Sequence, residues 1–270
     1  MTNPLEKIEL VSVAQYIKRE EDGKDAETWR VVLNSSDETP AYLKLTTNPY
    51  HATAELVASQ IGRALGMPIP KPYIAMVFEE DLPNNSAFFG SGIRFAFASA
   101  QFGIAPMNCA RKYNENNSAF TQILANWEGL NKARCFDEYV ANEDRNLGNL
   151  IYSPESREIG LIDHGRCLTG SYWPTWGLED AHRAVNNSLL INHESLNLKD
   201  KKLLLDTCNT LMRNSTKIDL QTLDQDGHFE RLGGVTSKSE IVNFLTQRIN
   251  FTVTLLCQRI GLPELNMTTH

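Results

Sequence analysis

The run Asn142-Glu143-Asp144-Arg145-Asn146-Leu147-Gly148-Asn149-Leu150-Ile151-Tyr152, followed by Ile159-Gly160-Leu161-Ile162-Asp163-His164-Gly165, constrains this chain more than any other part of it. Two short aliphatic segments flank Ser153-Pro154-Glu155-Ser156-Arg157, which is turn material. Leu150 to Tyr152 and Ile159 to Ile162 therefore read as a hairpin. Pairing Tyr152 with a residue near 158 sets Asn149 opposite about residue 161. Asn149 and Asp163 then share the open end of the ribbon, and Asp144 lies in the loop that enters it. A fold that accepts this hairpin brings two carboxylates and a carboxamide to one place.

Such a grouping suits Mg2+, which takes oxygen ligands and shares them with phosphates. Phosphoryl transfer asks little covalent chemistry of a protein; positioning and charge neutralisation dominate. Asp163, a carboxylate at a strand end followed by Gly165, is the expected metal ligand. Asn149 offers a neutral oxygen to a second metal, and Asp144 is left to accept or orient the proton of an attacking hydroxyl. Taken singly, Asp144 and Asn149 are also ordinary turn formers. Arg145 is expected to pair with a nearby carboxylate rather than to clamp phosphate. His51, His182, His193 and His228 have no ligand spacing, and Trp173 and Trp176 are expected to pack the segment after Asp163.

The hairpin sits in a chain whose two ends differ in character. Ile8 to Ile17, Trp29 to Leu33 and Ala41 to Leu45 read as strands, the last alternating on a period of two, and together they predict an antiparallel meander. A helix capped by Asn48, with Pro49 in its first turn, runs to Gly66 and Pro68; Ala54, Val57, Ile61 and Leu65 share one face. Ile74 to Phe78 and Ile93 to Phe97 read as further strands, with a loop over 81–86. From Ser118 the spacing of Phe120, Ile123, Leu124, Trp127, Leu130, Phe136 and Val140 predicts one long buried helix ending near Ala141. The last helix opens on Ser237-Lys238-Ser239-Glu240, a capping-box pattern, and stops at Gly261. The expected fold is α+β and two-lobed, with a strand-rich front over residues 1–103 and a mainly helical back over 104–270.

Composition narrows the partners. A net charge of −7 with scattered basic residues disfavours nucleic acid, which needs clustered Lys and Arg. No stretch approaches the roughly 20 apolar residues of a membrane span. The start of the chain lacks a basic and then apolar leader. The five cysteines are scattered without a CxxC pair, which disfavours disulfides and structural zinc and predicts a reducing cytoplasm.

The spacing D-x-x-x-x-N, then a hairpin, then I-D-x-G resembles the catalytic-loop and metal-loop grammar of the protein-kinase-like superfamily. The wording from Phe136 to Asn149, with Ile162-Asp163-His164-Gly165, looks most like the bacterial HipA-like kinase domain, and is also similar to blocks of the phosphoinositide kinases. The likeness extends over roughly residues 8–170. It implies a kinase-like fold with an antiparallel sheet and helix in the front lobe, and transfer of the ATP γ-phosphate to a hydroxyl. Ser or Thr of a protein is the acceptor it implies; a small-molecule kinase, or a nucleotide-binding regulatory module of low turnover, are the alternatives. It also implies Lys44 as the nucleotide lysine meeting the α- and β-phosphates, and Glu55 as its orienting partner. An antitoxin or regulatory partner would belong to such a setting. The chain departs from the wider superfamily in having no G-x-G-x-x-G. Its loop Glu20-Glu21-Asp22-Gly23-Lys24-Asp25 is mostly acidic, and carboxylates there repel phosphates.

Overall fold

The computed structural model describes residues 2–21, 26–83, 92–114, 126–170, 178, 180–190, 196–233 and 237–263. Loop residues 22–25, Trp173, Trp176 and His193 lie outside them. The chain starts with β1 (Asn3–Pro4), then β2 (Glu9–Glu20), β3 (Glu27–Leu33) and β4 (Thr39–Leu45), the last three forming the expected antiparallel meander. Helix α1 (Pro49–Ala64) follows, then β5 (Pro72–Phe78) and β6 (Ile93–Ala100).

The sheet corrects the expectation of a purely antiparallel layer. The five strands close into a barrel in the order β2-β3-β4-β6-β5, and β2 pairs with β5 in parallel, from Glu9 opposite Tyr73 to Ser12 opposite Met76. Register shifts at Val13/Gln15 and Tyr16/Lys18 explain the closure. Extra residues there bend β2, so its first third faces β5 while the rest pairs with β3. The interior is small enough to fill without a channel: Trp29, Val31, Leu33, Leu43 and Leu45 pack against Ala41, Ala75, Ala96 and Ala98.

Alternation along β4 sends Ala41, Leu43 and Leu45 into the barrel and leaves Tyr42 and Lys44 outside. The registers Thr28–Lys44, Lys44–Phe97 and Phe97–Ile74 then lay one row across four strands. α1 lies near this outer face. Asn48 caps it by accepting from the Tyr50 amide, with Pro49 at its start, as the sequence predicts. The expected single apolar face is too modest: every residue from Ala52 to Gly62 is buried. Gly62 is what lets the neighbours approach, since a Cβ there would lie 2.2 Å from Ile69 Cδ1 and 2.9 Å from Phe136 Cζ.

Beyond the barrel come β7 (Met107–Asn108), α2 (Cys109–Asn114), α3 (Leu130–Tyr139), the hairpin β8 (Leu150–Ser153) and β9 (Glu158–Leu161), then α4 (Leu198–Ser215), β10 (Ile218–Asp219), α5 (His228–Arg231) and α6 (Lys238–Arg259). α3 is shorter than the periodicity predicts, because residues 126–129 form a turn and not helix; residues 115–125 are outside the described set. α6 carries the predicted capping box of Ser237 and Glu240 and ends before Gly261, whose φ is +65°. A second, larger core joins α1, the hairpin and the helices α3, α4 and α6. It also takes in Leu5 and Ile8, since β1 pairs in parallel with β10. Arg248 of α6 is fully buried and donates to the carbonyls of Glu138, Ala181 and Arg183, bolting α6 to α3.

Candidate functional site

The hairpin forms one residue out of the predicted register. Tyr152 pairs with Ile159, Leu150 with Leu161, and the Ile162 amide donates to the Asn149 carbonyl at 3.1 Å. Ser153 and Glu158 close the ladder, so the turn is four residues, with Arg157 at φ +57°. Asn149 therefore lies opposite Ile162, immediately before Asp163, and the shared open end is kept. β7 pairs with β8 as a third strand that sequence reasoning missed.

Arg145 fixes that end from beneath. It is fully buried, and its Nε and Nη2 donate to the two Asp137 carboxylate oxygens at 2.9 and 3.1 Å. Its Nη1 donates to the carbonyls of Asn149 (2.9 Å) and Ile162 (2.7 Å). One guanidinium thus ties α3 to both strands at the hairpin mouth, which is the carboxylate pairing expected of it. Burial alone would lower its pKa; Asp137 more than offsets this and holds it above the ordinary value.

Asp144 and Asn149 meet through the backbone. Asn149 Nδ2 donates to the Asp144 carbonyl at 2.5 Å, and Asn142 Oδ1 accepts the Asp144 amide at 3.1 Å. The Asp144 carboxylate is partly exposed, with Arg166 Nε 4.0 Å away. Asp163 follows at φ +60°, a left-handed conformation that Asp and Asn tolerate better than most residues.

Lys44, Glu55 and Asp163 come together from three distant elements. Lys44 Nζ donates to Glu55 Oε1 and, at 2.9 Å, to Asp163 Oδ1. Glu55 Oε2 accepts the backbone amide of His164 at 2.9 Å. Burial would lower the Lys44 pKa, but Asp163 and Glu55 reverse this and hold it above its usual range. Burial likewise works against Glu55 ionisation; Lys44 and His164 overcome it, and the carboxyl stays well below the usual range. His164 is buried and its pKa is depressed chiefly by that burial, so it is neutral at pH 7.

These residues line one cleft with two compartments. The inner one, about 260 Å³, is walled by Ile69, Phe97, Phe102, Ile151 and Leu161. The outer one, about 560 Å³, is walled by Asp144, Asn146, Asn149, Asp163 and Arg166. Lys44, Glu55 and Asp163 border both, as do Asn108 and Arg111, which sequence reasoning missed. Asn108 Nδ2 donates to the Gly148 carbonyl at 2.7 Å. An Asn opening a short helix is visible in the sequence; its contact across 40 positions is not.

Among the described residues no cluster of three or more His, Cys, Asp or Glu side chains forms a metal cage. A divalent metal shared with phosphates needs only one or two carboxylates. The residues fit that arrangement. Asn149 spends its amide nitrogen on Asp144, leaving its oxygen for the cleft, and Asp163 is about half exposed with one oxygen beyond the Lys44 contact.

A family model described as HipA-like kinase matches residues 27–174, more than half of the chain. The chain belongs to the HipA-like kinase family. Lys44, Glu55, Asp144, Asn149 and Asp163 all lie inside the matched span. Family membership makes the protein a kinase and implies ATP with a divalent metal. The crystal structure of CtkA, a Helicobacter pylori proinflammatory kinase, is similar to this kinase in fold, with a TM-score of 0.50 at 14% identity over 96% of this chain and 99% of that one. An N-terminal 618-residue fragment of LepB from Legionella pneumophila gives a TM-score of 0.44 at 14% identity, over 86% of this chain and 46% of that one. No curated protein matches the chain in sequence. Among the described residues no helix is long and apolar enough to cross a membrane.

Proposed function

We propose that this kinase is two-lobed, with residues 1–103 and 104–270 forming the walls of the cleft, and that it transfers the γ-phosphate of ATP to Ser or Thr of a protein. The observation that carries the reading is the meeting of Lys44 with Glu55 and Asp163, which joins β4, α1 and the hairpin mouth at the junction of an apolar and a polar compartment. The inner compartment suits a flat apolar base, and the outer one suits phosphates and the acceptor. Lys44 contacts the α- and β-phosphates, and Glu55 holds its ammonium in place. Asn149 and Asp163 would hold Mg2+, which when bound neutralises charge on the transferring phosphoryl group. Asp144 orients the acceptor hydroxyl and takes its proton. The described cysteines are free and buried, in keeping with a reducing cytoplasm.

Turnover of radiolabelled ATP, with thermal unfolding in ATP and Mg2+, tests this reading. Asp163→Asn is the clean variant, because Asn keeps the shape and tolerates the left-handed backbone. Wild type should label an acceptor and the variant should not; equal transfer by both would remove Asp163 from the metal role. Glu20 lines the inner compartment, which favours the second reading, a nucleotide-binding module of low turnover. ATP-dependent stabilisation without transfer to any acceptor would support it. Mass spectrometry of a lysate treated with the kinase separates a protein acceptor from a small molecule.

A further inference from the structure

Among the described residues two cations border both compartments of the cleft: Lys44 from β4 on one wall and Arg111 from α2 on the other. We propose that Arg111 is a second phosphate-binding side chain, holding the triphosphate from the wall opposite Lys44. The proposal rests on the reading of the cleft as an ATP site.

Charge makes the need plain. Glu20, the last residue of β2, lines the inner compartment and brings a carboxylate to it. A carboxylate on that wall repels phosphates unless a cation answers it. Lys44 is already engaged with two carboxylates, Glu55 and Asp163. Arg166 borders only the outer compartment, beside Asp144. A triphosphate spanning the two compartments therefore needs positive charge at their junction, and among the described residues Arg111 is the cationic side chain there besides Lys44. A guanidinium fork also matches phosphate oxygens in pairs.

The backbone of Arg111 is keyed to the hairpin mouth. Asn108 Oδ1 accepts the amides of Ala110 (3.0 Å) and Arg111 (3.4 Å), while its Nδ2 donates to Gly148 O at 2.7 Å. Gly148 directly precedes Asn149. One carboxamide thus sets the start of α2 against the segment that presents Asn149, so Arg111 and Asn149 are held in common register. Arg111 is itself exposed, so its replacement leaves the core untouched.

Isothermal titration of the full chain with Mg-ATP, adenosine and inorganic tripolyphosphate, on wild type, Arg111→Ala and Arg111→Lys, tests the assignment. Arg111→Ala should bind ATP and tripolyphosphate about tenfold to a hundredfold more weakly, the scale of one charge-assisted contact. Adenosine affinity should be unchanged, and Arg111→Lys should recover part of the loss. Asn108→Ala should show the same selectivity with a smaller loss. ATP binding by Arg111→Ala within twofold of wild type would overturn the assignment while leaving the ATP site standing. An equal loss for adenosine would overturn it too, since that marks local packing. Wild type that binds neither ATP nor adenosine would overturn the ATP reading itself, and this inference with it.

Discussion

Replacing Arg145 by Met removes a cation from the centre of the molecule while keeping much of its bulk. The magnitude follows from what is left behind. Asp137 is fully buried and retains the Asn142 Nδ2 bond at 2.9 Å, but loses both guanidinium contacts. Removing one partner of a buried ion pair costs roughly 3–5 kcal/mol. The Asn149 carbonyl still accepts from the Ile162 amide, whereas the Ile162 carbonyl loses its Arg145 donor, for about 1–3 kcal/mol more. These terms share one side chain and do not add fully, so about 4–6 kcal/mol is expected. Against a typical total stability of about 5–15 kcal/mol, that is severe. Urea unfolding followed by circular dichroism measures it, and the Asp137→Leu/Arg145→Met double variant should recover at least about 2 kcal/mol by removing the stranded carboxylate. A loss below about 1 kcal/mol for Arg145→Met, or a double variant no better than the single, would refute the reasoning.

Glu55→Gln keeps one carboxamide oxygen where two carboxylate oxygens now serve Lys44 and the His164 amide; KM for ATP should rise and stability fall by about 1–3 kcal/mol, read by steady-state kinetics and urea unfolding. Asp163→Ala should be less stable than Asp163→Asn by about 1 kcal/mol, because Ala pays more for φ +60°; equal urea midpoints would argue against strain there. Burial pushes the Cys109 thiol up to about 12, from an ordinary value near 9. A raised acid is stabilising below its unfolded pKa, and that contribution is lost as pH climbs from 9 towards 12. Each pH unit in that window should cost up to about 1.4 kcal/mol from this group, and Cys109→Ala should flatten the alkaline limb of a stability–pH curve.

Local pattern carried far into this structure where the deciding forces were local. The alternation of Ala41 to Leu45 put Lys44 outside the barrel because period two is a property of the strand itself. Asn48, Ser237 and Glu240 announced helix starts because capping involves neighbours within four residues. The hairpin register missed by one, since it depends on whether Ser153 and Glu158 pair or loop out, and the positive φ of Arg157 decides that. Barrel closure was illegible because it joins Glu9 to Tyr73 through bulges that no composition marks. The late start of α3 at Leu130 was hidden because Trp127 keeps helical spacing while packing from a turn. Asn108 and Arg111 reached the cleft through a side-chain bond to Gly148, and nothing near residue 108 points to residue 148.

The two oxygens of Glu55 do separate work, and this bears on how the site could take a nucleotide. Oε1 holds Lys44, which also holds Asp163; Oε2 holds the His164 amide. Contact between Lys44 and Asp163 is therefore not what anchors the loop carrying Asp163. That loop is held by Glu55 through His164 and by Arg145 through the Ile162 carbonyl, both buried. Phosphates that draw Lys44 away would free Asp163 Oδ1 without releasing either anchor. The exposed contact is the exchangeable one, and the buried contacts keep the geometry. Preorganisation of this kind costs nothing at the moment of reaction, because the donors that set the loop face the protein and not the ligand.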